Sequence, residues 1–226
     1  MSSESRPAFY ALAPGGWRDY VTLLHPPYTL WHLSYVAVGA ALAPQIKWGI
    51  LGWTVLAFLL ALGVGGHALD ELAGHPLGTR IPRRLLAALA VVSIAAACAI
   101  GLVVAARTTW WLVAFICVGA FLVVAYNLEL FGGAFHSDLW FAASWGAFPL
   151  LTAYFASAER LRVEAVVGAA FAVATSLAQR TLSTQVRTAR RRGGDVQAAR
   201  PAEVALKLLS AAMPLLAGAL LLSRSG

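Results

Sequence analysis

The sequence predicts an all-α integral membrane protein of about seven transmembrane helices. Hydrophobic residues make up 60% of the chain and charged residues only 12%, about half the charged share usual in soluble domains. Mean hydropathy is +0.73. Five long stretches, at 20–46, 48–69, 85–106, 108–128 and 139–158, contain no Asp, Glu, Lys or Arg.

Crossing ~30 Å of hydrocarbon takes roughly 20 helical residues, so each of the five stretches is long enough. Residues 165–179 and 208–223 form shorter apolar runs, sufficient where helix ends snorkel or continue into a protein-lined cavity. The punctuation agrees. His25-Pro26-Pro27 opens the first helix, Gly74-His75-Pro76 ends the second and Pro82 restarts the chain into the third. Proline is favoured at helix starts and poor inside them. A tight turn around Arg107 joins the third and fourth runs, and residues 127–138, with Gly132-Gly133, join the fourth and fifth. Residues 1–226 read as one transmembrane domain, with an interfacial segment at 1–24 and a mobile cytoplasmic basic loop at 187–201. The N-terminus is polar and the first apolar run is too long for a cleavable signal peptide. Cys98 and Cys117 lie inside apolar runs and read as small packing residues without a disulfide.

The net charge of +7 follows topology rather than nucleic-acid binding. With seven spans, the N-terminus and the second, fourth and sixth connections share one side. Twelve of the 17 Lys and Arg residues fall there, among them Arg18, Arg80, Arg83, Arg84 and Arg187, against five on the other side. Positive residues stay cytoplasmic, which places the N-terminus inside a cell membrane and the C-terminus outside. Residues 190–192 then serve orientation and anionic-lipid contact. No nucleic-acid partner is expected.

Polar residues at transmembrane helix ends are the informative minority, because burying them costs energy unless they are paired or functional. His67, Glu71 and His75 share one helical face, with Asp70 beside them. Oxygen ligands suit Mg²⁺, imidazole with carboxylate suits Zn²⁺, and a helix end wetted by lipid headgroups needs no metal. Gly63, Gly65 and Gly66 precede this group and permit close helix approach. A second group comprises Tyr126, Asn127, Glu129, His136 and Asp138. In the third, Gln179, Ser183 and Arg187 share a face, with Arg180 and Thr184 adjacent. Its cations suit either a phosphate-bearing ligand or simple anchoring at the headgroups. His32 reads as a hydrogen-bonded packing residue. The tryptophans read as lipid belt or packing, with one or two available to wall an isoprenoid cavity.

Three segments carry a resemblance. LHPPYTLWHLSYVAVGAALAP, GGHALDELAGHPLGTRIPRRLL and YNLELFGGAFHSDLWFAASWGAFPLLTAYF occur in the order of the corresponding segments of the UbiA superfamily of intramembrane prenyltransferases. The chain resembles the menaquinone-pathway (MenA-like) and small divergent members. The resemblance implies a helical ring around a lipid-open cavity, with Mg²⁺ and an isoprenoid diphosphate at its cytoplasmic end. It makes Asp70 and Glu71 the Mg²⁺ ligands and Glu129 or Asp138 the group that orients or deprotonates an acceptor. His67, His75, Arg80, Tyr126, Asn127, His136, Gln179, Arg180, Ser183 and Arg187 would contact substrate.

The match to the family's NDxxDxxxD motif is partial. In one register His67 and Ala68 replace its Asn and first Asp, Glu71 keeps a carboxylate, and His75 replaces the last Asp. Gln179, Ser183 and Arg187 stand where the second acidic motif is expected. Family members typically have nine helices, so a protein partner is expected over the flank of the missing two. The expected function is prenyl transfer or cyclisation on an isoprenoid diphosphate or polyprenyl lipid. The alternatives are a non-catalytic lipid- or quinone-binding protein, a subunit of a larger membrane complex, or a transporter.

Overall fold

A computed structural model describes residues 7–191 and 195–225. Among them all regular structure is helical. A short helix, α1 (Trp17–Leu23), precedes α2 (Pro26–Leu42). The run Trp48–Gly74 is one continuous helix, α3, and α4 spans Arg83–Arg107. Then come α5 (Leu112–Asn127), α6 (Asp138–Ala158), α7 (Val163–Arg191) and α8 (Arg200–Ser223). Helices α3, α4, α6, α7 and α8 are long and apolar enough to cross a membrane. Helices α2 and α5 have 17 and 16 residues, and both lack charged side chains.

Small residues decide how these helices approach. A Cβ on Gly39 of α2 would run into the Leu150 carbonyl of α6. One on Gly146 of α6 would lie 2.7 Å from the Ala172 carbonyl of α7, and one on Gly63 of α3 would lie 2.9 Å from Thr29 of α2. With apolar lipid as the alternative partner, such close backbone packing is what holds helices together. Helix α2 consequently packs between α6 and α8, with Trp31 and Tyr35 fully buried in the shared core. The Trp31 Nε1–H donates to the Tyr35 hydroxyl (2.6 Å), which also meets Thr175 (2.7 Å) and Ser176 (3.0 Å) of α7.

Two helices change winding at informative places. Residues Leu59–Gly66 of α3 and Ala142–Ala147 of α6 are π-helical, a winding that recurs at functional sites. Both π segments pack against α2.

The polar connections gather at one end. Asp19, itself buried, accepts from the backbone N–H groups of Gly15 (2.9 Å) and Arg80 (3.1 Å), which ties the N-terminal segment to the loop after α3. At the opposite end Lys47 pairs with Glu159 (2.8 Å), and Arg224 donates to the carbonyls of Ala43 and Pro44.

The loop expected at 187–201 is narrower at both ends. Helix α7 continues to Arg191 and α8 begins at Arg200. Glu203 explains the extension, because it accepts two hydrogen bonds from Arg190 (3.0 and 2.6 Å) and one from Lys207 (2.7 Å), clamping the two helix ends. Residues 1–6 of the expected interfacial segment and 192–194 of the basic loop lie outside the described residues.

Candidate functional site

The first polar group divides on folding. Glu71 is fully buried, and its carboxylate accepts from the Thr79 N–H (2.8 Å), the Thr79 hydroxyl (2.9 Å), the Leu77 N–H (3.0 Å) and His75 Nδ1 (3.0 Å). His75 permits this by taking a left-handed conformation at the end of α3, which turns the chain back over the carboxylate. Glu71 therefore shapes the loop after α3. His67 turns away from it, stacks on His25 at 4.0 Å and donates from Nδ1 to the Gly63 carbonyl (3.0 Å). The single face expected for His67, Glu71 and His75 is not one ligand set.

The remaining groups meet around Phe141, near the start of α6. The His32 ring lies 5.6 Å from it, the Tyr126 ring 6.1 Å and the Arg180 guanidinium 5.2 Å. Tyr126 is also crossed by Trp145 (5.4 Å) and stacked on His136 (4.5 Å), whose Nδ1 donates to the Tyr126 carbonyl. Arg180 bridges to Asp138 at 2.7 Å, which joins α7 to α6. Asp70 and Arg187 line one small pocket with Tyr10, His25, Tyr28 and Val186. Phe141 thus brings the end of α5 to α7, and this pocket brings the end of α3 to α7.

Several atoms here are buried without a hydrogen-bond partner among the described residues: the Tyr126 hydroxyl, Gln179 Oε1, His32 Nδ1 and Ser144 Oγ. His32 is buried and hydrogen-bonded to the Trp145 backbone as expected, while its Nδ1 has no partner among the described residues. Buried polar groups are nearly always satisfied, and those that are not call for a partner from outside the chain. Replacing Tyr126 by phenylalanine removes such a group without removing a protein hydrogen bond. Its unfolding midpoint is expected to stay level or rise, within about 1 kcal/mol of wild type. A large drop in thermal denaturation would show that the hydroxyl has a structural partner.

Beside this cluster lies an apolar cleft between α3, α4, α5 and α6, with about 810 Å³ of empty space including its open side. Its wall includes Ser144 and Trp145, and the Trp145 ring also crosses Tyr126. Small residues, among them Ala97, Gly101, Gly119 and Ala120, keep its middle wide.

No protein-family model, curated protein or solved structure matches this chain. The site is therefore read on its own chemistry. Mg²⁺ held between paired carboxylates does not fit these residues. Glu71 has its oxygens committed to four protein donors, and among the described residues no three His, Cys, Asp or Glu side chains lie close enough to share a metal ion.

The other expected residues are scattered in depth. Gln179 and Ser183 are buried, and Arg187 is half-buried, donating to the Ser183 carbonyl (3.3 Å). Asn127 is buried and donates to the Val123 carbonyl. Glu129 is exposed on a left-handed residue of the loop after α5, 3.9 Å from His136, and Asp138 is exposed beside Arg180. Arg80 is exposed in the loop that Glu71 shapes. Sequence reasoning missed Asp19, Thr79, Phe141, Tyr28 and Tyr10. Only Asp19 carried a signal, as an acid beside Arg18 just before an apolar run.

Proposed function

We propose that this chain is a seven-span protein of the cell membrane, with its helices around a lipid-open cavity and its polar end cytoplasmic. In this reading it is a divergent UbiA-type prenyltransferase acting on an isoprenoid diphosphate or related polyprenyl lipid. One observation supports the reading: an apolar cleft abuts a cluster of aromatic side chains with unpaired polar atoms, with Arg180 over its Phe141 and Arg187 seven positions further along α7. An amphiphile with an apolar tail and an anionic head matches that pairing.

The tail lies in the cleft and the phosphate meets Arg180 and Arg187, whose guanidinium groups suit planar anion recognition. The allylic carbon–oxygen bond breaks heterolytically, and its electron pair leaves with the diphosphate. The cation is captured by an acceptor that loses a proton, or by a double bond of its own chain, after which the new cation loses a proton from an adjacent carbon. Trp145, Tyr126 and Phe141 present aromatic faces to it and exclude water. Arginines take the place of the second acidic motif in meeting the leaving charge.

A second reading rests on the uncharged character of the unpaired atoms. The Tyr126 hydroxyl, Gln179 Oε1 and His32 Nδ1 also suit the carbonyl or hydroxyl of a quinone-type lipid, held without chemistry, with a partner protein on the open flank.

Purified protein in nanodiscs, given radiolabelled allylic diphosphates with Mg²⁺ and with chelator, distinguishes the two. Pyrophosphate release that falls about tenfold or more in an Arg180→Ala, Arg187→Ala double variant supports transfer. Absence of release in both arms, with quinone binding intact, supports the second reading.

A further inference from the structure

The loop between α5 and α6 exposes an apolar surface. Leu128, Leu130 and Phe131 are exposed on it, Phe131 at 71%, and Leu139 and Trp140 continue that surface into α6. Four of the five residues from Glu129 to Gly133 take left-handed φ, Leu130 being the exception. That conformation is strained for Glu129 and Phe131 and natural for Gly132 and Gly133. The chain therefore reverses directly after α5 instead of running outward.

The reversal lays the loop back along the helix it follows. The Phe135 ring stands edge-on to Phe121 of α5 at 5.1 Å, and the Phe131 ring lies 6.3 Å from Phe121. Phe121 is six residues before Asn127, roughly 9 Å back from the helix end, and is itself exposed. Trp140 completes the group on Phe135 at 4.8 Å. The length of α5 points the same way. Its 16 residues cover about 24 Å, roughly 6 Å less than the hydrocarbon of a bilayer. Trp110 and Trp111 are exposed just before its start, and tryptophan anchors at headgroup depth. The shortfall therefore lies at the loop end.

We propose that residues 128–137 form a wedge embedded in the bilayer beside α5, its apolar side covered by acyl chains of the surrounding leaflet. The proposal rests on the reading of α5 as a membrane span. Backbone inside a bilayer must satisfy its own polar groups. Here the N–H groups of Leu128, Glu129, Gly133 and His136 donate to the carbonyls of Val124, Tyr126, Glu129 and Gly133 respectively. The charged groups set the depth. Glu129, 3.9 Å from His136, and Asp138, bridged to Arg180, form a polar edge. That edge stays at the headgroups while the phenylalanines reach below it. His136 also stacks on Tyr126, so the same loop walls the cluster around Phe141 from the lipid.

The test uses nitroxide labels on the full chain in nanodiscs, in a Cys98→Ala, Cys117→Ala background. Single labels are carried by Phe131→Cys in the loop, Val118→Cys on the exposed side of α5 and Ala198→Cys in the exposed turn before α8. Leu130→Cys stands in where Phe131→Cys fails to fold. Collisions with oxygen, which concentrates in hydrocarbon, are compared with collisions with a water-soluble nickel chelate. The loop label is expected to match Val118→Cys, with a several-fold higher ratio of oxygen to chelate collisions than Ala198→Cys. A loop label that matches Ala198→Cys while Val118→Cys stays in lipid overturns the wedge and leaves the span standing. A Val118→Cys label that also matches Ala198→Cys overturns the span, and the wedge with it.

Discussion

Glu71→Ala is expected to destabilise the protein by about 3 kcal/mol or more, because two buried backbone N–H groups, a buried hydroxyl and a histidine lose their shared acceptor together. The N–H groups are those of Leu77 and Thr79, and both residues are buried. No neighbouring water can replace the carboxylate cheaply in so enclosed a place. Glu71→Gln keeps the shape and one acceptor oxygen, yet it turns an N–H₂ group toward other donors, so it should lie between wild type and alanine. Asp70→Ala, at a half-buried position one residue earlier, should cost far less stability. The measurement is the denaturation midpoint in detergent micelles, with proteolysis of the loop at 75–79 as a local readout. A Glu71→Ala protein that unfolds like wild type but has lost Mg²⁺ binding would restore the carboxylate to the metal role expected from its sequence position.

Glu71 also shows where sequence reading stops. Its spacing from His67 and His75 was visible, and spacing alone put all three on one face. The donors that claim it come from residues six and eight positions later, brought back by the left-handed turn at His75. Nothing periodic announces such a return. The helix ends marked by local chemistry were legible: Pro26 at the first position of α2, Pro82 just before α4, and Gly74-His75-Pro76 at the end of α3.

The end of α7 was not legible. An apolar-run criterion stops at the first charges, at Gln179-Arg180, whereas the helix continues to Arg191 on an ion pair with Glu203 that belongs to the next helix. The π segments were equally hidden, since LLALGVGG and AASWGA have the hydropathy of ordinary membrane helix. Of the candidate site, the participation of three helix tips could be anticipated from polar residues at their ends. The roles within it could not, because Phe141, around which His32, Tyr126 and Arg180 assemble, is one more aromatic in an aromatic-rich run.

Gly39→Ala should be the most damaging of the small substitutions in the helix core, and its effect should reach the cluster around Phe141. The added methyl group would meet the Leu150 carbonyl, with the Leu150 carbonyl carbon at 2.9 Å and its Cα at 3.0 Å. All three are backbone atoms, so no side-chain rotation relieves the clash. The helices α2 and α6 must separate, and the helix propensity gained by alanine, about 1 kcal/mol, is small beside the packing lost. A net loss of about 2–4 kcal/mol follows, at the upper end for a single substitution.

Separation also moves His32, carried by α2, from Phe141, carried by α6, so ligand affinity should fall even in the fraction that remains folded. Gly52→Ala is the control, since a Cβ there meets nothing within 4 Å, and it should leave both stability and binding unchanged or slightly improved. Parallel thermal unfolding and isoprenoid-diphosphate binding of the two variants would check this. If Gly39→Ala matched Gly52→Ala in both, α2 and α6 would not meet through this glycine, and His32 would have to be held beside Phe141 by some other contact.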